Sequence, residues 1–137
     1  MLLTTRIVSA NDHERLLPAV ARARSSWLTY APYLERFGTE LRRSRAVLPS
    51  EVPGDVITMN SRFVLADTRQ DGPVCYTLVY PEAEAPRKGK VSVLSPMGTE
   101  LLGARVGERV SWLTADGPES AVVQRLLYQP EAAGDER

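Results

Sequence analysis

Few side chains in this sequence are of the types that perform catalysis. The chain contains one histidine, His13, and one cysteine, Cys75, far apart in the sequence. His13 falls in the first turn of a predicted helix, and Cys75 falls in an alternating segment that predicts a strand with a buried thiol. A zinc site requires more ligands of this kind. These residues predict neither a nucleophile paired with a base nor a metal site, and we expect no cofactor.

The carboxylates and glycines form no catalytic motif. Turn residues separate Glu82, Glu84 and Glu100, so nothing in the sequence forces two of them to converge as a general acid and base. The segment GARVG, residues 103–107, lacks the Lys-Ser/Thr of a P-loop and the Gly-x-Gly-x-x-Gly of a dinucleotide-binding turn. Its glycines are typical of turns with positive φ. The residues alone favour a binding module over an enzyme.

Charge is unevenly distributed along a chain whose formal net charge is zero. Residues 1–48 carry eight Lys/Arg against four Asp/Glu, and the remainder carries nine against thirteen. Arg42, Arg43 and Arg45 form a basic cluster on a predicted helix. Such a cluster is either a solvated helix face or a contact for an acidic protein surface or a nucleic-acid backbone, and no base-reading motif accompanies it.

Length and hydropathy indicate the class of protein. A chain of 137 residues is one domain, or one domain with a small appendage. No apolar run approaches the roughly 20 residues of a membrane span, and the N-terminus lacks the basic start and apolar core of a signal peptide. A lone cysteine fits a reducing compartment. We therefore expect a soluble, cytoplasmic monomer that makes no membrane contact.

The first third of the chain has helical periodicity. Ser9 followed by Asp12 is a weak form of the capping box. One helical face carries Leu16, Val20, Ala23 and Trp27. A heptad-like spacing relates Leu34, Phe37, Leu41, Ser44 and Leu48. The spacing predicts helices near residues 10–25 and 32–46 that form a short antiparallel hairpin, and Pro18 either kinks the first helix or delays its start.

The pattern changes after the segment PSEVPGDVITMNS, residues 49–61, which contains Pro and Gly residues and marks a boundary. Runs rich in Val, Leu, Tyr and Trp predict strands at residues 61–67, 74–81, 90–94, 109–113 and 121–129. Two Asp-Gly pairs predict turns. The segment SPMGTELLG predicts a short helix with Ser95 as its N-cap, Pro96 at its first position and Gly103 at its end.

These patterns predict an α+β fold with two parts. Residues 1–50 form the helical hairpin, a short coiled coil. Residues 51–137 form a small antiparallel sheet on which one short helix packs.

The segment VSVLSPMGTELLGARVGERVSW, residues 91–112, resembles the signature of the C-terminal domain of the Gre transcript-cleavage factors. The similarity comprises a Ser-x-x-Ser-Pro-x-Gly loop, a Leu-Leu-Gly helix end and a Val-Gly-Glu turn into a strand. The segments PGDVITMNSRFVLAD, TLVYPE and LLYQPEAAGDE resemble Gre-like regulators of nucleoside diphosphate kinase, which have a shortened hairpin. The resemblance implies an FKBP-like C-terminal domain that docks at the rim of the secondary channel of RNA polymerase.

The resemblance also implies which residues make contacts. The Gre segment that contacts the polymerase matches the loop residues Ser92, Leu94, Ser95, Pro96 and Met97, although some Gre proteins have an acidic residue at the position of Leu94. Cleavage-competent Gre factors carry acidic residues at the hairpin tip that help to hold a catalytic metal. The tip here is instead basic and aromatic, with Arg22, Arg24, Trp27 and Tyr30.

The leading hypothesis is a regulator that binds RNA polymerase, does not stimulate transcript cleavage and competes with Gre factors. A peptidyl-prolyl isomerase is the main alternative, because FKBP-like folds host that activity in aromatic-lined pockets. The aromatic residues available for such a pocket are Phe63, Tyr76, Tyr80, Trp112 and Tyr128. Two further alternatives are indirect control of nucleoside diphosphate kinase levels and weak DNA binding through the basic hairpin.

Overall fold

The computed structural model describes residues 6–24, 32–67 and 72–135. The helices are α1 (Ala10–Arg24), α2 (Pro32–Arg43), α3 (Pro96–Leu101) and α4 (Pro130–Ala133). The strands are β1 (Ile7–Ser9), β2 (Arg45–Val47), β3 (Arg62–Asp67), β4 (Pro73–Val79), β5 (Lys90–Ser92), β6 (Arg109–Thr114) and β7 (Gly117–Tyr128). Short 3-10 turns lie at Pro49–Glu51, Pro81–Ala83 and Pro86–Lys88.

The main sheet has five strands in the order β5-β4-β3-β7-β6. Strand β3 pairs antiparallel with β4 and β7, and β6 and β7 form an antiparallel hairpin. Strand β5, however, runs parallel to β4, so the sheet is mixed where the sequence predicted a purely antiparallel one. The connection between β4 and β5 contains two 3-10 turns and returns the chain to Thr77, so that β5 pairs with the last three residues of β4. The prediction of two N-terminal helices, a sheet and one short helix on it is otherwise confirmed.

The first helix begins where the capping residues predict. The Asp12 backbone N–H donates to Ser9 Oγ at 3.1 Å, and α1 starts at Ala10. The helix continues through Pro18, whose exposed side chain leaves the buried face unchanged. Pro18 therefore neither delays nor ends the helix.

The second helix ends three residues earlier than predicted. Ser44 Oγ donates to the Leu41 carbonyl at 2.5 Å, and the Arg45 N–H donates to the Arg6 carbonyl at 2.8 Å. These contacts turn the chain out of the helix into β2, which pairs parallel with β1. Leu48, the last residue of the predicted heptad pattern, consequently lies outside the helix and is 59% exposed.

The two helices pack antiparallel. Near one end, His13 Nε2 lies 3.1 Å from the Leu41 carbonyl. Further along, a Cβ added at Gly38 would lie 3.3 Å from Val20 Cγ1, so the glycine permits a close approach of the helices. The predicted turn at residues 27–31 lies outside the described residues.

One hydrophobic core joins the helices to the sheet. Leu16, Phe37 and Leu41 are at most 1% exposed and belong to the same buried cluster as Phe63 and Leu101. The apolar face of the hairpin therefore packs on the sheet and on α3 as well as on itself. Burial of side chains of this size stabilises the fold by about 1.5–3 kcal/mol each.

A buried carboxylate links α1 to the segment before β3. Asp12 is 7% exposed, its Oδ2 accepts from the Met59 N–H at 3.1 Å, and the Tyr80 hydroxyl lies 3.4 Å from Oδ1. Burial raises the pKa of Asp12 from its ordinary value of 3.8 to about 6, and the charge of Glu131 adds to this effect. The Met59 N–H bond opposes the shift without cancelling it.

We expect Asp12 to make folding stability depend on pH. Because its pKa is higher in the folded than in the unfolded chain, its favourable contribution is present below about pH 4 and is lost as the pH rises through about 6. Relative to Asp12→Asn, the wild type should lose about 2 kcal/mol of unfolding free energy between pH 4 and pH 7. Urea unfolding across this range measures the difference.

The matched control is Glu14→Gln, which removes a carboxylate from an exposed position of the same helix. Its pH profile should parallel that of the wild type. Parallel profiles for Asp12→Asn and the wild type would contradict the prediction.

Candidate functional site

The Ser-Pro loop, residues 92–97, connects β5 to α3 and is shaped by two serines. Ser92 Oγ accepts from the Leu94 N–H at 3.1 Å. Ser95 Oγ donates to the Ser92 carbonyl at 2.7 Å and accepts from the Gly98 N–H at 3.0 Å. Ser95 is thus the N-cap of α3, as predicted, and Pro96 occupies the first helical turn. These bonds give the loop one defined shape before any partner binds.

Gly98 holds the first turn of α3 against the preceding strand. A Cβ at this position would lie 2.0 Å from the Ser92 carbonyl oxygen and 2.8 Å from Val93 Cα. Contacts this short with backbone atoms exclude every other residue unless α3 moves. The glycine of the Ser-Pro-x-Gly pattern therefore serves the packing of the loop.

The predicted contact residues of the loop differ in exposure. Pro96 is exposed, and Leu94, Ser95 and Met97 are half-buried. Ser92 is only 6% exposed. The side chains of Leu94, Ser95, Pro96 and Met97 therefore reach the surface. Ser92 is buried and instead stabilises the loop through its hydrogen bond with the Leu94 N–H.

An apolar groove of about 360 Å³ lies beside Pro96 and Met97. Its other walls include Tyr76 on β4, Val91 on β5, and Trp112 with the 70% exposed Leu113 on β6. Residues from both edges of the sheet line it, which indicates that the sheet curls around α3. Tyr76 and Trp112 are two of the five aromatic residues that the sequence offered for a pocket, whereas the curl that assembles them involves long-range contacts.

The hairpin is attached directly to the Ser-Pro loop. The Tyr33 hydroxyl, at the start of α2, donates to the Leu94 carbonyl at 2.5 Å. Burial, followed by the nearby charge of Glu84, raises the pKa of Tyr33. Arg36 on α2 forms an ion pair with Glu100 on α3 at 2.8 Å. No local pattern in the sequence singles out Tyr33 or Arg36, because their partners are about 60 residues away.

A larger groove of about 1180 Å³ separates α1 from the Ser-Pro loop. Leu94 and Ser95 line one side of it and Arg22 lines the other. The structure thus brings one predicted tip residue and two loop residues to the same groove. The side chain of Arg24, together with Trp27 and Tyr30, lies outside what the structure describes.

The remaining polar candidates do not form a catalytic group. Cys75 is exposed, contrary to the prediction of a buried thiol, because Tyr76 takes the inward position of the alternating strand. Glu82 and Glu84 are exposed, and Glu100 forms an ion pair with Arg36. Among the residues that the structure describes, no three His, Cys, Asp or Glu side chains are grouped to hold a metal ion.

The basic cluster of α2 and β2 lies on the surface. Arg42, Arg43 and Arg45 are all exposed, and Arg42 Nη2 donates to Thr39 Oγ1 at 3.3 Å. No helix in the described part of the chain is long and apolar enough to cross a membrane.

Comparison with known proteins relates this arrangement to transcription factors. Residues 52–126 match the family described as "Transcription elongation factor, GreA/GreB, C-term". The "Regulator of nucleoside diphosphate kinase" of Escherichia coli (strain K12) is 42% identical over 106 residues, which cover 76% of this chain and 77% of the relative. "Transcription elongation factor GreA" of Sulfurovum sp. (strain NBC37-1) is 30% identical over 92 residues, or 67% of this chain and 57% of the relative.

A solved structure extends the similarity to the N-terminal helices. It is the "Prokaryotic transcription elongation factor GreA/GreB from Nitrosomonas europaea", with 28% sequence identity and a TM-score of 0.76. The alignment covers 91% of this chain and 99% of that one, so it includes residues of the hairpin as well as of the sheet. Sequence and fold agree that the chain belongs to the GreA/GreB family of transcription elongation factors.

Proposed function

We propose that the protein regulates transcription by binding RNA polymerase at the rim of its secondary channel, without stimulating transcript cleavage. The observation that carries this proposal is the Ser-Pro loop, which presents Leu94, Ser95, Pro96 and Met97 in one fixed conformation. In the Gre factors that the chain resembles, the matching segment contacts the polymerase. We further propose that the protein acts as a monomer and that it competes with Gre factors for this site.

The physical properties of the loop suit a docking element. Its conformation is fixed by Ser92, Ser95 and Gly98, so that little conformational entropy is lost when a partner binds. The adjoining apolar groove, lined by Tyr76 and Trp112, can accept an apolar anchor from the partner. The loop and the groove together form one surface with a fixed shape and an apolar character.

The part of the hairpin around its tip contains no carboxylate. No Asp or Glu occurs between Glu14 and Glu35. Mg²⁺ is bound by oxygen ligands, usually carboxylates, and the metal in turn activates the water that attacks a phosphodiester. The 15 residues of α1 and 12 residues of α2 correspond to arms of about 22 and 18 Å. A short tip without carboxylates supports binding without catalysis.

Peptidyl-prolyl isomerisation is the second candidate, favoured by the aromatic lining of the apolar groove. A proline-containing tetrapeptide assay distinguishes the two functions, since isomerisation requires no polymerase. Control of nucleoside diphosphate kinase levels, suggested by the name of the Escherichia coli relative, would be an indirect result of altered transcription.

We expect Met97→Glu to weaken binding to polymerase core enzyme by about tenfold or more. The charge would enter the apolar surface formed by loop and groove, where it loses hydration without gaining a partner. Val106→Glu is the matched control, because Val106 is an apolar residue 40% exposed in a different turn, at residues 103–108. Titration of labelled polymerase measures both affinities, and thermal unfolding verifies that both variants fold.

Equal affinity of the wild type and Met97→Glu would contradict the assigned contact. Ser92 is avoided in this test because it is buried, so that a charged substitution would disturb the fold itself.

We expect the protein to leave backtracked elongation complexes uncleaved and to inhibit cleavage stimulated by a Gre factor. Inhibition should rise with its concentration and be relieved by excess Gre factor, as competition for one site requires. Stalled complexes with labelled transcripts measure both effects. Cleavage by this protein alone would contradict the non-catalytic tip, and full Gre activity at saturating protein would contradict competition.

A further inference from the structure

The main sheet has two edge strands, β5 and β6, and the described chain covers only one of them. Strand β5 is three residues long, and Lys90 on it exchanges two backbone hydrogen bonds with Ala85, both at 3.0 Å. Strand β6 has six residues and no proline, and among the described strands it pairs with β7 alone. Proteins usually block sheet edges with short strands, prolines or covering segments, because unpaired backbone groups bind other chains. The outward side of β6 is therefore a free edge.

A hydrogen bond fixes which residues of β6 point to this free edge. The Val123 N–H on β7 donates to the carbonyl of Glu108, directly before β6, at 2.9 Å. In an antiparallel pair, residues that bond to the neighbouring strand alternate with residues whose backbone groups point away from it. Every second residue after Glu108 therefore bonds to β7. The residues between them, which direct their N–H and C=O groups to the free edge, are Arg109, Ser111 and Leu113.

The side chains of these three edge residues lie on the outer face of the sheet, which is the face opposite the core. Val110 and Trp112 belong to the core or pack against it, so the alternate side chains point the other way. All three edge residues are exposed, and Leu113 is 70% exposed. A partner can therefore reach the backbone of β6 from the side.

On the inner side of the sheet, the apolar groove of about 360 Å³ begins at the same strand. Trp112 and Leu113 form its wall on β6, and Met97 on α3 and Val91 on β5 lie across it. A strand added to β6 would direct every second side chain to the side of Trp112. Such a side chain would enter the groove and be removed from water.

The outer face beside the free edge is basic. Arg109 is exposed at the start of β6, and Arg62 and Arg125 are exposed on β3 and β7. A β-bulge at Gln124 brings Arg125 opposite Val64, which is an outward position of β3. Arg109 is the arginine of this face that lies on the edge strand. An acidic side chain opposite Arg109 would therefore be favoured in a bound segment.

We propose that the free edge of β6 binds an extended, unstructured segment of a partner protein as an added antiparallel strand. In this mode, backbone hydrogen bonds supply affinity and alternate side chains supply specificity. The register requires an apolar residue opposite Trp112, whose side chain enters the groove, and an acidic residue opposite Arg109. The contact requires no polymerase and goes beyond the proposed function.

The free backbone groups of β6 favour a strand over other occupants. A helix bonds its own N–H and C=O groups internally and could fill the groove only with side chains. A second copy of β6, paired antiparallel about Ser111, would place Arg109 opposite Leu113 and leave the charge without a partner. A segment with an acidic residue at that position satisfies both the backbone groups and the charge.

The test is fluorescence anisotropy of a labelled peptide with the core Val-Ile-Thr-Val-Glu and the full-length protein. In the antiparallel register its Ile lies opposite Trp112, its Thr opposite Ser111 and its Glu opposite Arg109. We expect saturable binding. N-methylation of the Thr removes an N–H that faces β6 and should weaken binding at least about fivefold. N-methylation of the Ile, whose N–H faces away from β6, is the matched control and should change affinity less than about twofold.

Substitution of the protein tests the register. Arg109→Glu places like charges opposite each other and should weaken binding of the peptide about fivefold, and it should strengthen binding of the peptide with Lys in place of Glu. Arg125→Glu, the matched control, makes the same charge change two strand spacings, or about 10 Å, from the added strand. It should change affinity less than about twofold. Thermal unfolding verifies that both variants fold.

Three outcomes would overturn the proposal. The first is failure of the wild type to bind the peptide at about 1 mM. The second is an equal loss on N-methylation of the Thr and of the Ile, which would show that side chains in the groove hold the peptide without strand pairing. The third is an equal effect of Arg109→Glu and Arg125→Glu, which would show that binding follows net charge.

Discussion

The contacts of the Arg6 guanidinium hold together the elements on which the candidate site depends. Arg6 Nη1 donates to the carbonyls of Thr99 and Leu102 at 2.5 and 3.2 Å, at the end of α3. Its Nη2 lies 2.7 Å from Glu40 Oε1 on α2, and its guanidinium lies 5.6 Å from the centre of the Phe37 ring. Hydrogen bonds to charged groups stabilise a fold by about 1.5–3 kcal/mol each. A residue just before β1 thus supplies the carbonyl end of α3 with partners that a helix of six residues cannot provide itself.

This arrangement fixes the hairpin relative to the Ser-Pro loop. Arg6 secures one end of α3, and Tyr33 secures the loop at its other end through the Leu94 carbonyl. Since Phe37 and Leu41 belong to the same core as the sheet, moving the hairpin would expose large apolar side chains. The distance that the hairpin extends from the Ser-Pro loop is therefore determined by the lengths of α1 and α2. In the proposed complex with polymerase, the short helices limit how far the hairpin extends, because their base cannot shift freely.

Local features of the sequence predicted the helices and strands, whereas long-range contacts account for the positions at which the structure differs from the prediction. The helix start after Ser9, the cap at Ser95 and the positive φ of Gly103 depend on neighbouring residues, and the structure confirms them. The conversion of Arg45–Val47 into β2 depends on pairing with β1, nearly 40 residues away. Alternation alone could not decide which of two neighbouring residues, Cys75 or Tyr76, would face the core. The residues of the candidate loop were therefore predictable, whereas the groove beside it and the contacts that hold it were not.

Single strands of the sheet contribute residues to two different surfaces, one on each face of the sheet. On β6, Trp112 lines the apolar groove on the side of α3, whereas Arg109 lies on the outer face in register with Val122. Strand alternation lets each set of residues vary without changing the other, provided that the register is kept. The bulge at Gln124 is the exception, because removing it would turn Arg125 towards the core and disrupt both faces. A chain with zero net charge can thus present a basic face and an apolar groove on opposite sides of one sheet, since its charges are sorted by strand geometry.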